Sequence, residues 1–283
     1  MAIKDPRAIK KIVQKNFDNS ADLYDSFEEK YGLFRHLTYE LAKVCKIRTG
    51  WNVYDIGCGT GTSSFVLKNF VGSKGYVIGV DFSEEMLHIA QERQKLRGIE
   101  NLCFMMSDAD NFGLLSNRNI NSILYNASIF LIPEPKNTLL RAYNLLKDKS
   151  TIGMNYLIGL YETDAEPIGE GQKLNNELFQ LASSSGKPFA PYGRNIMDFN
   201  ALPKLLKEIG FRKIRTGILT VELSEAEMRA FYSIPAQSAA LWPKNSYEER
   251  LKFLDLLIDY LKENNINKFY QYWGWCVGEK SGN

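Results

Sequence analysis

The strongest constraint on this chain is the segment Val53-Tyr54-Asp55-Ile56-Gly57-Cys58-Gly59-Thr60-Gly61, a short apolar run that ends in three glycines at alternate positions. An apolar run of that length reads as a buried strand, and the helix-compatible spacing of Phe65, Val66, Leu67 and Phe70 follows directly. A strand that enters a helix through a glycine loop brings bare backbone and unpaired N–H groups to one point. Missing β-carbons let a ligand lie against the main chain, and the N–H groups at the helix start favour negative charge. The dinucleotide fingerprint G-x-G-x-x-G is a near competitor, but the spacing here is G-x-G-x-G, and an acidic residue, Asp55, stands just before the loop.

The same alternation continues. Strands are predicted over 52–55, 76–80, 102–106, 120–125 and 152–158, with helices over 63–70 and 135–146 and another starting after Ser83, a good N-cap. Met86, Leu87 and Ala90 fall on the inner side of that helix. Repeated βα units with short connections imply a parallel sheet covered on both faces. Later, a helix over 202–209 ends at Gly210, and long strands are expected over 214–223 and 269–277. Between those two strands, Ser224 with Glu227 and Ser246 with Glu249 match capping boxes, and Leu254, Leu257, Ile258 and Leu261 form an apolar stripe.

Composition then removes several chemistries. Among 283 residues only His36 and His88 are histidines, too few for a three-histidine zinc site. Cys45, Cys58, Cys103 and Cys276 show no C-x-x-C spacing, so no metal is expected and the chain reads as reduced and cytoplasmic. The net charge is +2, with no basic excess to hold a nucleic-acid backbone, and no apolar run is long enough to span a membrane.

The motifs, in their order, resemble those of class I S-adenosylmethionine-dependent methyltransferases. The matching pieces are the loop at 55–61, Gly79-Val80-Asp81-Phe82-Ser83-Glu84-Glu85-Met86-Leu87, and Ser107-Asp108-Ala109. Residues 17–25 are similar to the N-terminal signature of the branch that modifies small molecules. The resemblance implies an α/β, Rossmann-like fold with a seven-stranded, mostly parallel sheet, an antiparallel last strand and helical lid insertions. The expected organisation is an N-terminal helical cap over 1–50, a cofactor-binding core over 51–161 and an insertion over the active site at 162–200. A core helix and strand at 201–223, a helical lid insertion at 224–266 and a final core strand at 267–283 complete it.

The resemblance also implies roles. Gly57, Cys58, Gly59 and Gly61 would carry the methionine part of S-adenosylmethionine, with Asp55 fixing the loop and the amino group. Asp81 would accept both ribose hydroxyls, Phe82 and Met86 would pack on adenine, and Asp108 with the Ala109 N–H would meet its edge. Asn126 and Ala127 would sit near the reactive methyl, and Tyr24 would close over the methionine end. Tyr24 and His36 are the candidate catalytic groups. Phe130, Tyr192 and Trp242 are candidate substrate contacts, the last two because they fall in insertions. The Asn/Asp-Pro-Pro-Tyr/Phe signature of enzymes that methylate base nitrogens is missing after strand 120–125. The expected activity is therefore methyl transfer by in-line displacement to a small, apolar or aromatic molecule, from a monomer or homodimer that does not use nucleic acid. A methyltransferase acting on protein or RNA and a non-catalytic S-adenosylmethionine-binding module are the alternatives.

Overall fold

The computed structural model describes residues 5–113, 119–158, 201–242, 245–266 and 268–282. Within them, strands β1 (Asn52–Ile56), β2 (Tyr76–Asp81), β3 (Leu102–Met106), β4 (Ile120–Tyr125), β5 (Leu146–Ile158), β6 (Phe211–Ser224) and β7 (Lys268–Lys280) form one seven-stranded sheet. Its order is β3-β2-β1-β4-β5-β7-β6. β1 to β5 pair in parallel, and β7 runs antiparallel to both β5 and β6. The chain winds outward from β1 to β3 and returns at β4, so the winding reverses between β1 and β4. In open α/β sheets a crevice forms at that point, outside the carboxyl ends of the strands.

Helices α1 (Pro6–Asp18), α2 (Ala21–Tyr31) and α3 (Leu33–Val44) precede the sheet, and α4 (Thr62–Val71), α5 (Glu84–Leu96), α6 (Pro135–Leu145) and α7 (Ala201–Ile209) alternate with its strands. The turn between α2 and α3 rests on Gly32, whose left-handed φ of 69° ends one helix and starts the next. The buried carboxylate of Glu28 accepts the N–H groups of Phe34 and Arg35, both at 2.9 Å, and so caps α3. Ser83 caps α5 through its Oγ, as its position in the sequence predicts.

α8 (Glu225–Ser233), α9 (Pro235–Leu241) and α10 (Tyr247–Glu263) fill the stretch between β6 and β7, and both capping boxes are formed. These helices share one apolar core with α2, α3 and β7. Phe27 packs edge-on against Phe231, and Phe34 against Trp273, while Leu254, Leu257, Ile258 and Leu261 point into the same cluster. Burying one such side chain contributes about 1.5–3 kcal/mol. Trp242 is 4% exposed and packs on Phe253 within this cluster. In the described residues its place is in this core and not in the lining of the glycine-loop pocket, because an aromatic in an insertion can equally fill the insertion's own core.

β5, β6 and β7 are longer than the apolar pattern predicts. The antiparallel ladder of β6 and β7 continues past the buried stretch into polar residues, for example Arg212 opposite Glu279, and the start of β5 pairs in parallel with β4 at Ile120 and Leu146. Ladder hydrogen bonds need no apolar side chain, so that extension leaves no periodicity to read.

Candidate functional site

The loop after β1 passes under the end of β2. The N–H groups of Gly57 and Cys58 both donate to the Val80 carbonyl, at 2.7 and 3.0 Å. Gly57 has φ of +74°, and a β-carbon there would lie 2.5 Å from Ser128 Cβ, so only glycine fits. Gly59, at φ of +53°, is different. A β-carbon on it would meet nothing closer than Met86 Sδ and Tyr24 Cε1, both 3.9 Å away. Its open face looks into a pocket lined by Gly57, Gly59, Asp81, Phe82 and Met86 on one side. Ser107, Asp108 and Ala109 form its far end, Lys10, Phe17 and Tyr24 its roof, and Asn126, Ala127, Ser128, Leu131, Ile132 and Pro133 its remaining wall.

Asp81 closes β2 at the centre of this pocket. Its Oδ2 accepts from Gly59 N at 2.8 Å, and its Oδ1 accepts from Phe82 N and Ser83 N at 2.8 and 3.0 Å. A carboxylate offers about four lone-pair sites, so one direction remains on Oδ2. Burial raises the Asp81 pKa above its ordinary value, while the three N–H bonds oppose that rise. Asp108 accepts from Lys10 and from Asp110 N, which fixes the loop after β3. Thr138 Oγ1 ties the same loop to α6 by donating to the Ala109 carbonyl at 2.7 Å.

Several anticipated residues lie behind the pocket wall. Asp55 is fully buried and is not part of the lining. Its Oδ2 accepts from Ser64 Oγ at 2.7 Å, and its Oδ1 has no hydrogen-bond partner. Burial pushes its pKa up to about 7, with the nearby Asp81 charge adding to the rise. Gly61 faces the core, where a β-carbon would come within 2.7 Å of Phe104 and 3.1 Å of Ala90. Cys58 is buried, and desolvation raises its thiol well above the ordinary range, so it stays protonated and packs.

Asn126 reaches the pocket, yet its amide is committed to the protein. It donates to Ser63 Oγ at 2.9 Å and to the Phe34 carbonyl, and accepts from Asn155 Nδ2 at 2.7 Å. Asn155 Oδ1 in turn takes the N–H of Ala127, which is held at φ of +52°. This network fixes the turn after β4, where Ala127 and Ser128 face the pocket.

The candidate catalytic groups separate. Tyr24 is in the pocket, stacked on Phe34 with ring centroids 4.9 Å apart. Burial raises its pKa well above the ordinary tyrosine value, which keeps its hydroxyl protonated. His36 is exposed on α3 and lies beside Tyr39 and Phe70 in a separate surface concavity, away from the glycine loop. Helical periodicity turns it outward, since Leu33, Phe34, Leu37 and Thr38 take the buried face. Phe130 is half-buried between two apolar clusters, and Leu131 to Pro133 line the pocket in its place. Tyr192 and the whole insertion at 162–200 lie outside the described residues.

An N-terminal helical cap is expected from the sequence, but Lys10, Gln14, Phe17 and Asp18 of α1 are not among the expected site residues. Lys10 and Phe17 line the pocket, Gln14 Nε2 donates to the Phe82 carbonyl at 2.9 Å, and Asp18 accepts from Ser83 Oγ at 2.6 Å. Asp5-Pro6 was the available signal: an N-cap that accepts from Arg7 N, then proline in the first turn, then Ile9 and Val13 at helical spacing.

Comparison with known proteins adds a second line of support. A family model described as "Methyltransferase domain" matches residues 47–208. An aklanonic acid methyltransferase from Streptomyces sp. is 31% identical over 137 residues, which cover 48% of this chain and 61% of that protein. A demethylmenaquinone methyltransferase from Listeria welshimeri is 26% identical over 137 residues, covering 48% of this chain and 58% of its own length. The chain thus spans about three-fifths of the length of these curated relatives. Among solved structures, Haemonchus contortus phosphoethanolamine N-methyltransferase 2, in complex with phosphomonomethylethanolamine and S-adenosylhomocysteine, superposes with a TM-score of 0.57 at 16% identity. That match covers 87% of this chain and 52% of the other, and it is a likeness of fold.

Proposed function

Because the chain belongs to the methyltransferase-domain family, we propose that it is an S-adenosylmethionine-dependent methyltransferase acting on a small, apolar or aromatic acceptor. The observation that carries this reading is the open face of Gly59, set between Tyr24 and Met86 in the same pocket as Asp81 and Asp108. The residues present fit an adenosyl cofactor. Backbone without a β-carbon offers close approach at one end, Asp81 keeps one acceptor direction for a hydroxyl, and Phe82 and Met86 offer apolar surface for a base. Asp108 and the Ala109 backbone stand at the far end, where an amino group would need an acceptor.

When bound, S-adenosylmethionine supplies a methyl group activated by a sulfonium. The residues of this chain have to hold, align and dry the reactants. Tyr24 and Phe17, on the roof, exclude water, and the fixed turn at Ala127 and Ser128 gives a rigid wall beside the glycine loop. Leu131, Ile132 and Pro133 make the neighbouring surface apolar. A small aromatic acceptor suits that surface, and two relatives are named for aklanonic acid and for demethylmenaquinone.

The test is incubation with methyl-labelled S-adenosylmethionine and a panel of hydroquinones and aromatic polyketide acids. Label in an organic-extractable product supports the reading. Label found only in added protein or RNA contradicts the small acceptor.

A further inference from the structure

We propose that Lys10 is a positioning residue that makes the far end of the pocket select a purine bearing an amino group, by holding the Asp108 carboxylate in an orientation that can only accept. This rests on the reading that the pocket takes an adenosyl cofactor. Lys10 lies on α1, outside the segment 47–208 that matches the family. Its Nζ donates to Asp108 Oδ1 at 2.9 Å, to Asp108 Oδ2 at 2.7 Å and to Asp110 Oδ2 at 2.6 Å. An ammonium has three donors, so none is left over for a ligand. Whatever Lys10 does for the pocket, it does through Asp108.

The carboxylate of Asp108 is correspondingly filled. Oδ1 takes Lys10 and Asp110 N, the latter at 2.9 Å, and Oδ2 takes Lys10. Of about four lone-pair sites, the remaining one is on Oδ2, and Asp108 lines the pocket. Two carboxylates share one ammonium, so a negative charge persists at this end of the pocket. An amino group can donate to it. A carbonyl at the same ring position, as in hypoxanthine, would set one acceptor against another and leave both unpaired.

Without Lys10, the charges of Asp108 and Asp110 repel each other. One carboxylate then turns away, and the orientation of the Asp108 acceptor toward the pocket is lost. Gln14 and Asp18 keep α1 in place through Phe82 and Ser83, so a change at Lys10 alone need not release the helix.

The test is calorimetric titration of wild type, Lys10→Met and Lys10→Arg with S-adenosylhomocysteine and with its deaminated analogue, S-inosylhomocysteine. Wild type is expected to prefer the adenosyl compound. Lys10→Met should narrow that preference by roughly tenfold or more, the scale of a lost charge-assisted hydrogen bond, and Lys10→Arg should keep it. Lys10→Gln gives the same reading should the methionine variant fail to fold. Equal losses for both compounds would overturn the proposal and leave Lys10 as a strut for α1. If wild type binds neither compound, the cofactor reading itself fails and the proposal falls with it.

Discussion

The carboxylate of Asp81 accepts the backbone N–H of Gly59 at 2.8 Å, which joins the end of β2 to the middle of the loop that follows β1. Two motifs separated by 22 residues are thereby one structure. Replacing Asp81 by alanine leaves the N–H groups of Gly59, Phe82 and Ser83 without their acceptor. The expected loss in S-adenosylhomocysteine affinity is about 1–3 kcal/mol, the scale of unpaired buried polar groups. Calorimetry measures it, and unchanged affinity would sink the assignment of Asp81 to the cofactor.

The two loop glycines should separate stability from binding. Gly57→Ala drives a methyl group into Ser128, so the loop must shift and the melting temperature should drop. Gly59→Ala meets nothing closer than 3.9 Å, and costs the protein only the left-handed strain of about 1–2 kcal/mol. Its methyl, however, occupies the open face between Tyr24 and Met86. Thermal unfolding with and without S-adenosylhomocysteine distinguishes them: Gly59→Ala should lose more ligand-induced stabilisation than Gly57→Ala, relative to its change in melting temperature.

Asp55 gives a pH dependence. Its pKa rises from 3.8 to about 7 on folding, so between those values the native chain holds a proton that the unfolded chain has released. The stability this provides is fully present below 3.8 and is lost as pH climbs through about 7. Asp55→Asn keeps an acceptor for Ser64 Oγ and removes the titration. Denaturant unfolding near pH 5 and near pH 8 should show a smaller decline in the variant than in wild type; equal declines would exclude Asp55 as the source.

Trp242→Ala should cost about 3–5 kcal/mol, the range for deleting a large core aromatic. Cofactor affinity per folded molecule should stay unchanged, because Trp242 packs on Phe253 away from the pocket lining. Removal of residues 225–265 would similarly strip Phe27, Phe34 and Trp273 of their partners and destabilise the chain. A truncated protein that keeps its melting temperature would contradict the shared core.

What the sequence made legible follows from range. Strand, glycine loop and helix cap are local, so β1, the loop at 57–61 and Ser83 could be read directly, while the expected roles of Asp81 and Asp108 come from the resemblance of the ordered motifs to the methyltransferase family. Lys10 pairs with Asp108 across 98 residues, and Asn155 with Asn126 across 29, contacts for which a single sequence carries no signature. Trp242 shows the complementary ambiguity. Its residue type suits a pocket or a core equally, and only the packing of α8, α9 and α10 against α2 and α3 decides between them. Asp55 stands beside the loop in the sequence, but its depth and its bond to Ser64 depend on how α4 seats over β1.

The most direct measurement is an isothermal titration of the wild-type protein and Asp81→Ala with S-adenosylhomocysteine. The pocket predicts saturable binding at one site per chain, weakened in the variant by the 1–3 kcal/mol expected for unpaired polar groups. No saturable binding to the wild type, or equal binding to both proteins, would contradict an adenosyl site built on Gly59, Asp81 and Asp108.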